Sequence, residues 1–189
     1  MLVLLLVGLL VRDEAALRDT FSKEIKAKEA AKRVEAVKKL AGAKEEKTIE
    51  LLAHSLKDAD LSVRKAAAEA IEGSTDGGGK AIKPLGTILV DKKEEIDLRM
   101  ACAKALSKAR YKSEAFPYFF ETINSIEAEE RHFYKFGAEV TGILDKFIGK
   151  SFGAGKQTAD RWGEWWTDNK KAITEEDEKK RKDWKEKKE

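Results

Sequence analysis

Residues 64–71 read Arg64-Lys65-Ala66-Ala67-Ala68-Glu69-Ala70-Ile71, and the same frame occurs twice more. It returns as Arg33-Val34-Glu35-Ala36-Val37-Lys38-Lys39-Leu40 and as Arg99-Met100-Ala101-Cys102-Ala103-Lys104-Ala105-Leu106. Each arginine is followed by a small residue three positions on (Ala36, Ala67, Cys102) and a large aliphatic residue at seven (Leu40, Ile71, Leu106). Steps of three, four and seven place these positions on one stripe of an α-helix. The arginines stand 31 and 35 residues apart, which is the period of a helix–turn–helix repeat.

A second apolar helix is expected after each of these. The first is Lys47–Leu56, with Ile49, Leu52 and Leu56 on one side. The second is Lys80–Val90, with Ile82, Leu85 and Leu89, and the third is Glu114–Ile126, with Phe116, Phe119, Phe120 and Ile123. Pro84 and Pro117 are expected near helix starts, where a missing N–H does no harm. Asp60 suits the N-cap of the helix carrying Arg64. Further helices are expected at Glu14–Ile25, over the open end of the stack, and at Glu130–Ile148. One such pair cannot bury its apolar face alone, and stacked neighbours can. The expected fold is therefore all-α: an α-α superhelix of about three to four helix pairs with terminal capping helices, spanning residues 13–149.

These residues resemble the HEAT-repeat family, in which an Asp after one repeat's second helix precedes a Val-Arg pair, small residues and Leu. Asp58, Val63, Arg64, Ala67 and Ile71 match that pattern. Asp91, Leu98, Arg99, Cys102 and Leu106 match it with two extra residues in the turn, and the first repeat has no Asp in register. The resemblance covers roughly residues 29 to 126. It implies a right-handed superhelix, a protein-binding role, and an Asp–Arg ladder between repeats made by Asp58, Arg64, Asp91 and Arg99.

The C-terminal region divides into a Trp-rich cap at 150–173 and a charged tail at 174–189. Gly149, Phe152, Gly153, Trp162, Trp165 and Trp166 are similar to the ending of a group of bacterial HEAT-repeat proteins, often exported. Thr158 or Asp160 is the expected N-cap, and the three indoles are expected to seal the end of the stack, with an exposed aromatic platform for a partner as the alternative. Residues 175–189 hold seven acids and seven bases, with Trp184 their one large apolar side chain. Such a segment is expected to fray as a charged helix or to stay disordered.

Charge and motif content narrow the function. The 38 basic and 35 acidic residues give a net charge of +3, short of the basic excess that marks a nucleic-acid binder. Lys32, Lys65, Lys104 and Lys108 on first helices are interleaved with Glu35 and Glu69. The single cysteine, Cys102, excludes an intrachain disulfide and a thiolate zinc site, and it is expected to be buried. His54 and His132 have no metal-ligand spacing. The run Gly77-Gly78-Gly79-Lys80 has Ser74 and Ala81 where a phosphate loop needs Gly and Ser or Thr. No enzyme, cofactor or metal is expected.

The expected function is a monomeric scaffold that binds an unidentified protein or peptide on a groove lined by its second helices. Candidate contacts there are Glu50, His54, Lys83, Thr87 and Glu121. The competing reading is a HEAT-like nucleic-acid binder with a basic concave face. Residues 1–11, MLVLLLVGLLV, are too few to cross a bilayer, which takes roughly 20 apolar residues. They have the length of a signal-peptide core, although no Lys or Arg precedes them and Asp13 and Glu14 stand near the expected cleavage point. Export to a secreted or periplasmic location is expected, with the cytoplasm as the alternative.

Overall fold

The computed structural model describes residues 13–74, 79–127, 134–153 and 157–187. The apolar leader-like segment and His132 lie outside the described residues. Among the described residues there are nine helices and no strand. They are α1 (Glu14–Glu24), α2 (Ala30–Lys39), α3 (Glu46–Ser55), α4 (Leu61–Glu72), α5 (Ile82–Val90), α6 (Ile96–Leu106), α7 (Lys112–Glu127), α8 (Tyr134–Ile148) and α9 (Thr158–Glu186). None of them is long and apolar enough to cross a membrane.

The repeat frame sets the layers. The first helices α2, α4 and α6 stack side by side, and the second helices α5 and α7 do the same on the other layer. Ala36, Ala67 and Cys102 are all fully buried in one continuous core. A small side chain at each of these points lets neighbouring helices approach, and Leu40, Ile71 and Leu106 fill the space one turn further along. Asp60 caps α4 as expected, accepting from the Ser62 amide at 2.9 Å.

α8 continues the first-helix layer. It pairs with α7 in the opposite direction, since Phe147 meets Phe119 and Gly137 meets Ile126. Its Phe136 ring lies 4.6 Å under the guanidinium carbon of Arg99 on α6.

The chain then departs from the repeat. Gly149 and Gly153 take positive φ, 80° and 73°, a conformation side chains disfavour. The turn they make carries Phe152 edge-on to Trp162, 4.7 Å between rings. α9 therefore runs against α7 rather than with it. Gly163 lies at Phe120, Trp166 stacks on Phe116 at 4.2 Å, and Asp177 reaches Ser113.

Several expectations need correction. Residues 158–186 form one unbroken helix, so the boundary at 173–174 falls inside α9 and the tail through Glu186 is helical and packed against the repeats. The reason is its side chains: Asp177, Arg181 and Trp184 all engage the α6–α7 corner. Thr158 is the first residue of α9 and donates to the Gly153 carbonyl at 3.1 Å, while Gln157 takes the cap position without a side-chain bond to a helix amide. α7 begins two residues earlier than expected and holds Pro117 inside it. The Asp177 carboxylate accounts for the early start, because it binds the Ser113 amide that would otherwise be an orphan of the first turn.

Candidate functional site

The arginines of the repeat frame point back to the turns between pairs. Arg33 holds Asp58 with two bonds of 2.8 Å, from Nε and from one terminal nitrogen. Both side chains are mostly enclosed, 16% and 13% exposed. This separates the pair from the surface ion pairs of the chain, which contribute little. Asp58 also accepts from the Asp60 amide at 2.8 Å. The bond from Arg33 holds its carboxyl below the usual carboxylate range, ahead of the opposing effect of burial.

The next rung differs from the ladder implied by resemblance. Arg64 donates to the carbonyls of Asp58 and Ala59 and, at 2.8 Å, to Glu94. The two extra residues in that turn carry Asp91 outward, where it accepts from the Lys93 amide at 2.9 Å, and bring Glu94 to the arginine. Asp58 thus faces Arg33 of its own repeat through its carboxylate and Arg64 of the next through its carbonyl. The third arginine, Arg99, is 1% exposed; it donates to the Leu89 carbonyl at 2.9 Å and lies over Phe136.

The starts of two second helices are capped from a distance. Glu14 of α1 is buried and accepts from the amides of Lys44 and Glu45, at 2.6 and 3.1 Å, just before α3. Burial alone would raise its pKa. The bonds from Lys44, Thr48 and Glu45 and the charge of Arg18 outweigh it, and the carboxyl ends below its ordinary value. Asp177 does the same for α7, accepting at 2.7 Å from both the amide and the hydroxyl of Ser113.

The expected contact residues fall in two groups. Glu50 and His54 border one cleft between α3 and α5, together with Ala53, Lys57, Lys80 and Pro84. Lys80 bridges Glu50 at 3.1 Å and Glu46 at 3.5 Å, and these partners, Glu50 foremost, hold its ammonium above the usual range. Lys83 and Thr87 stand exposed on α5, and Glu121 stands exposed on α7. Tyr118 joins those two helices, its ring lying directly over Gly86. No motif marked Tyr118, and Lys80 stood out only in a glycine run that fails as a phosphate loop. Among the described residues no cluster of three His, Cys, Asp or Glu side chains could hold a metal ion.

The indoles divide as well. Trp162 is fully buried against Phe116, Phe152 and Trp165, whereas Trp165 and Trp166 are half-buried. Phe116 meets all three. Trp162 is thus packed into the end of the stack, and the other two cover it.

Stacked antiparallel helix pairs with small residues at their crossings and arginines tied to the connecting turns define an α-solenoid. Residues 19–107 match the family model for HEAT repeats, so the chain carries HEAT repeats over that stretch. No curated protein and no solved structure matches the chain. The matched stretch ends at the third first-helix; α7, α8 and α9 complete the stack beyond it.

Proposed function

We propose that this protein is a non-catalytic scaffold that binds a protein or peptide across the exposed side of α3, α5 and α7. The observation that carries this reading is the mixed charge of that surface. Lys47, Lys57 and Lys83 are interspersed with Glu50, Glu114 and Glu121, and Lys80 is already engaged by Glu46 and Glu50. A duplex or single strand of nucleic acid calls for an uninterrupted run of unpaired cations to neutralise successive phosphates. Alternating charge instead suits a protein partner, for which it sets register and rejects wrong partners.

The test is site-specific photo-cross-linking in cells of the native host. One photoreactive residue replaces Thr87 on the candidate surface, and another replaces the exposed Glu69 on the opposite layer. A discrete protein adduct from position 87 and none from position 69 supports the proposal. Nucleic-acid adducts at 87, or the same adducts from both positions, refute it.

A further inference from the structure

The last turns of α9 occupy a surface that the repeats themselves build. Asp177, Arg181 and Trp184 are spaced four and three residues apart, on the same helix face as Trp162, Trp166 and Ile173. Asp177 is 3% exposed and closes the first turn of α7 through Ser113. Arg181 pairs with Glu114 and lies 4.4 Å from the Tyr111 ring centre. The Trp184 ring lies 4.0 Å under the guanidinium of Arg110 and, with Lys44, Glu46 and Glu50, borders a cleft at the start of α3. The tail is therefore held by the α6–α7 corner and faces the start of α3 across that cleft.

The two halves of α9 are held by different physics. Trp162, Trp165 and Trp166 anchor the first turns by aromatic burial. Past Ile173 the contacts are a helix cap, ion pairs and cation–π contacts, at the edge of the fold. Regions held by few apolar contacts open locally at far lower cost than the global fold.

The geometry points to a helix-docking seat, formed by the α6–α7 corner and the start of α3, that takes a helix presenting a carboxylate, a guanidinium and an indole at i, i+4 and i+7. The chain's own tail is the resident occupant, and a partner helix of this chemistry docks in its place. This seat lies at the starts of the second helices and shares Glu50 and Glu114 with the surface proposed above, but its test reads displacement of the tail and not capture at position 87. Because the tail is tethered, its effective concentration at the seat is high. A free helix therefore binds wild-type protein with an affinity reduced by the fraction of seats already filled.

The test uses the full chain and a fluorescent peptide with the sequence of residues 170–187. Anisotropy titration compares wild type with Asp177→Ala/Arg181→Ala/Trp184→Ala, whose changes lie on the tail and leave the seat intact. The variant is expected to bind the peptide at least tenfold more tightly than wild type, and a peptide carrying the same three changes is expected to lose that binding. Equal affinity for both proteins, or no saturable binding to the variant, overturns the proposal. A second readout needs no variant: in wild type, amides of residues 177–186 are expected to exchange at least tenfold faster than those of 162–168. Equal protection along α9 would mean that the tail does not open separately, and would also overturn it.

Discussion

Trp162→Ala probes the end of the stack where its side chains are most completely enclosed. The indole is 0% exposed and meets Phe116 at 5.8 Å, Phe152 at 4.7 Å and Trp165 at 5.4 Å. Truncating a buried Trp to Ala usually costs about 3–5 kcal/mol, from lost transfer energy and the cavity left behind. Here one contribution has the opposite sign. The Trp162 Nε1 is buried with no acceptor among the described residues, and leaving such a donor unsatisfied costs about 1–3 kcal/mol that truncation removes. The net expected loss is about 2 kcal/mol. For a chain of this length that lowers the melting temperature by about 4–8 °C. Trp162→Phe keeps an aromatic ring against Phe116 and Phe152 and discards the orphan N–H, so it is expected to fall within about 1 kcal/mol of wild type. Urea and thermal unfolding followed by far-ultraviolet circular dichroism measure both variants. If Trp162→Ala melts with wild type, the indole does not seal the stack. If Trp162→Phe falls as far as Trp162→Ala, the N–H has a partner and the opposing contribution is wrong.

The remaining predictions concern the turns, the helix contacts and the thiol. The folded pKa of Asp58 lies below its ordinary value of 3.8, so its stabilisation is complete above that pH and is lost as pH falls through the lower folded value. The gap in melting temperature between wild type and Asp58→Asn should therefore be largest near neutrality and shrink below about pH 4; a gap independent of pH would contradict the pairing with Arg33. Gly86→Ala would ordinarily strengthen a helix by about 1 kcal/mol. Here an added Cβ would stand 2.3 Å from the Tyr118 ring, so the substitution should destabilise, and Gly86→Ala on a Tyr118→Ala background should restore the helical gain. Cys102 is buried, and burial foremost pushes its thiol up to about 12. Folded protein at pH 8 should resist a thiol reagent that labels the urea-unfolded chain at once, and rapid labelling of the native state would place Cys102 outside the core.

The repeat stack was legible because its signal is periodic. Arg33, Arg64 and Arg99 each sit a fixed step before a small residue, and a stripe repeated three times cannot be mistaken for an isolated amphipathic helix. The Arg33–Asp58 contact was missed because the preceding Asp that the resemblance required is absent before Arg33; the arginine turns forward to the Asp that follows its own pair. Glu94 was missed for a different reason. Two inserted residues shift which carboxylate faces Arg64, and a register carried over from the repeat pattern has no term for that local excursion. The tail misled through composition. Seven acids and seven bases read as solvated, yet the step from Asp177 to Arg181 to Trp184 continues the face begun at Trp162. Periodicity was present there, but it was carried by polar side chains whose partners lie 64 or more residues away in the chain. The candidate contacts Glu50 and His54 share a cleft, but nothing in the pattern of the second helices announced that Lys80 would cross it to reach Glu46 and Glu50.

The repeats form one stack, and the end of α9 lies across a cleft from the start of α3. Spin labels at Lys47→Cys on α3 and Lys185→Cys at the end of α9 read that geometry directly, because Lys47 borders the same cleft as Trp184. Pulsed dipolar spectroscopy should give a short, dominant distance. From Trp166 to Trp184 the helix runs about 27 Å at 1.5 Å per residue, so a helix leaving the stack at Trp166 would move the second label by a comparable length. A distribution centred at such a long separation, with no short component, would mean that α9 leaves the stack.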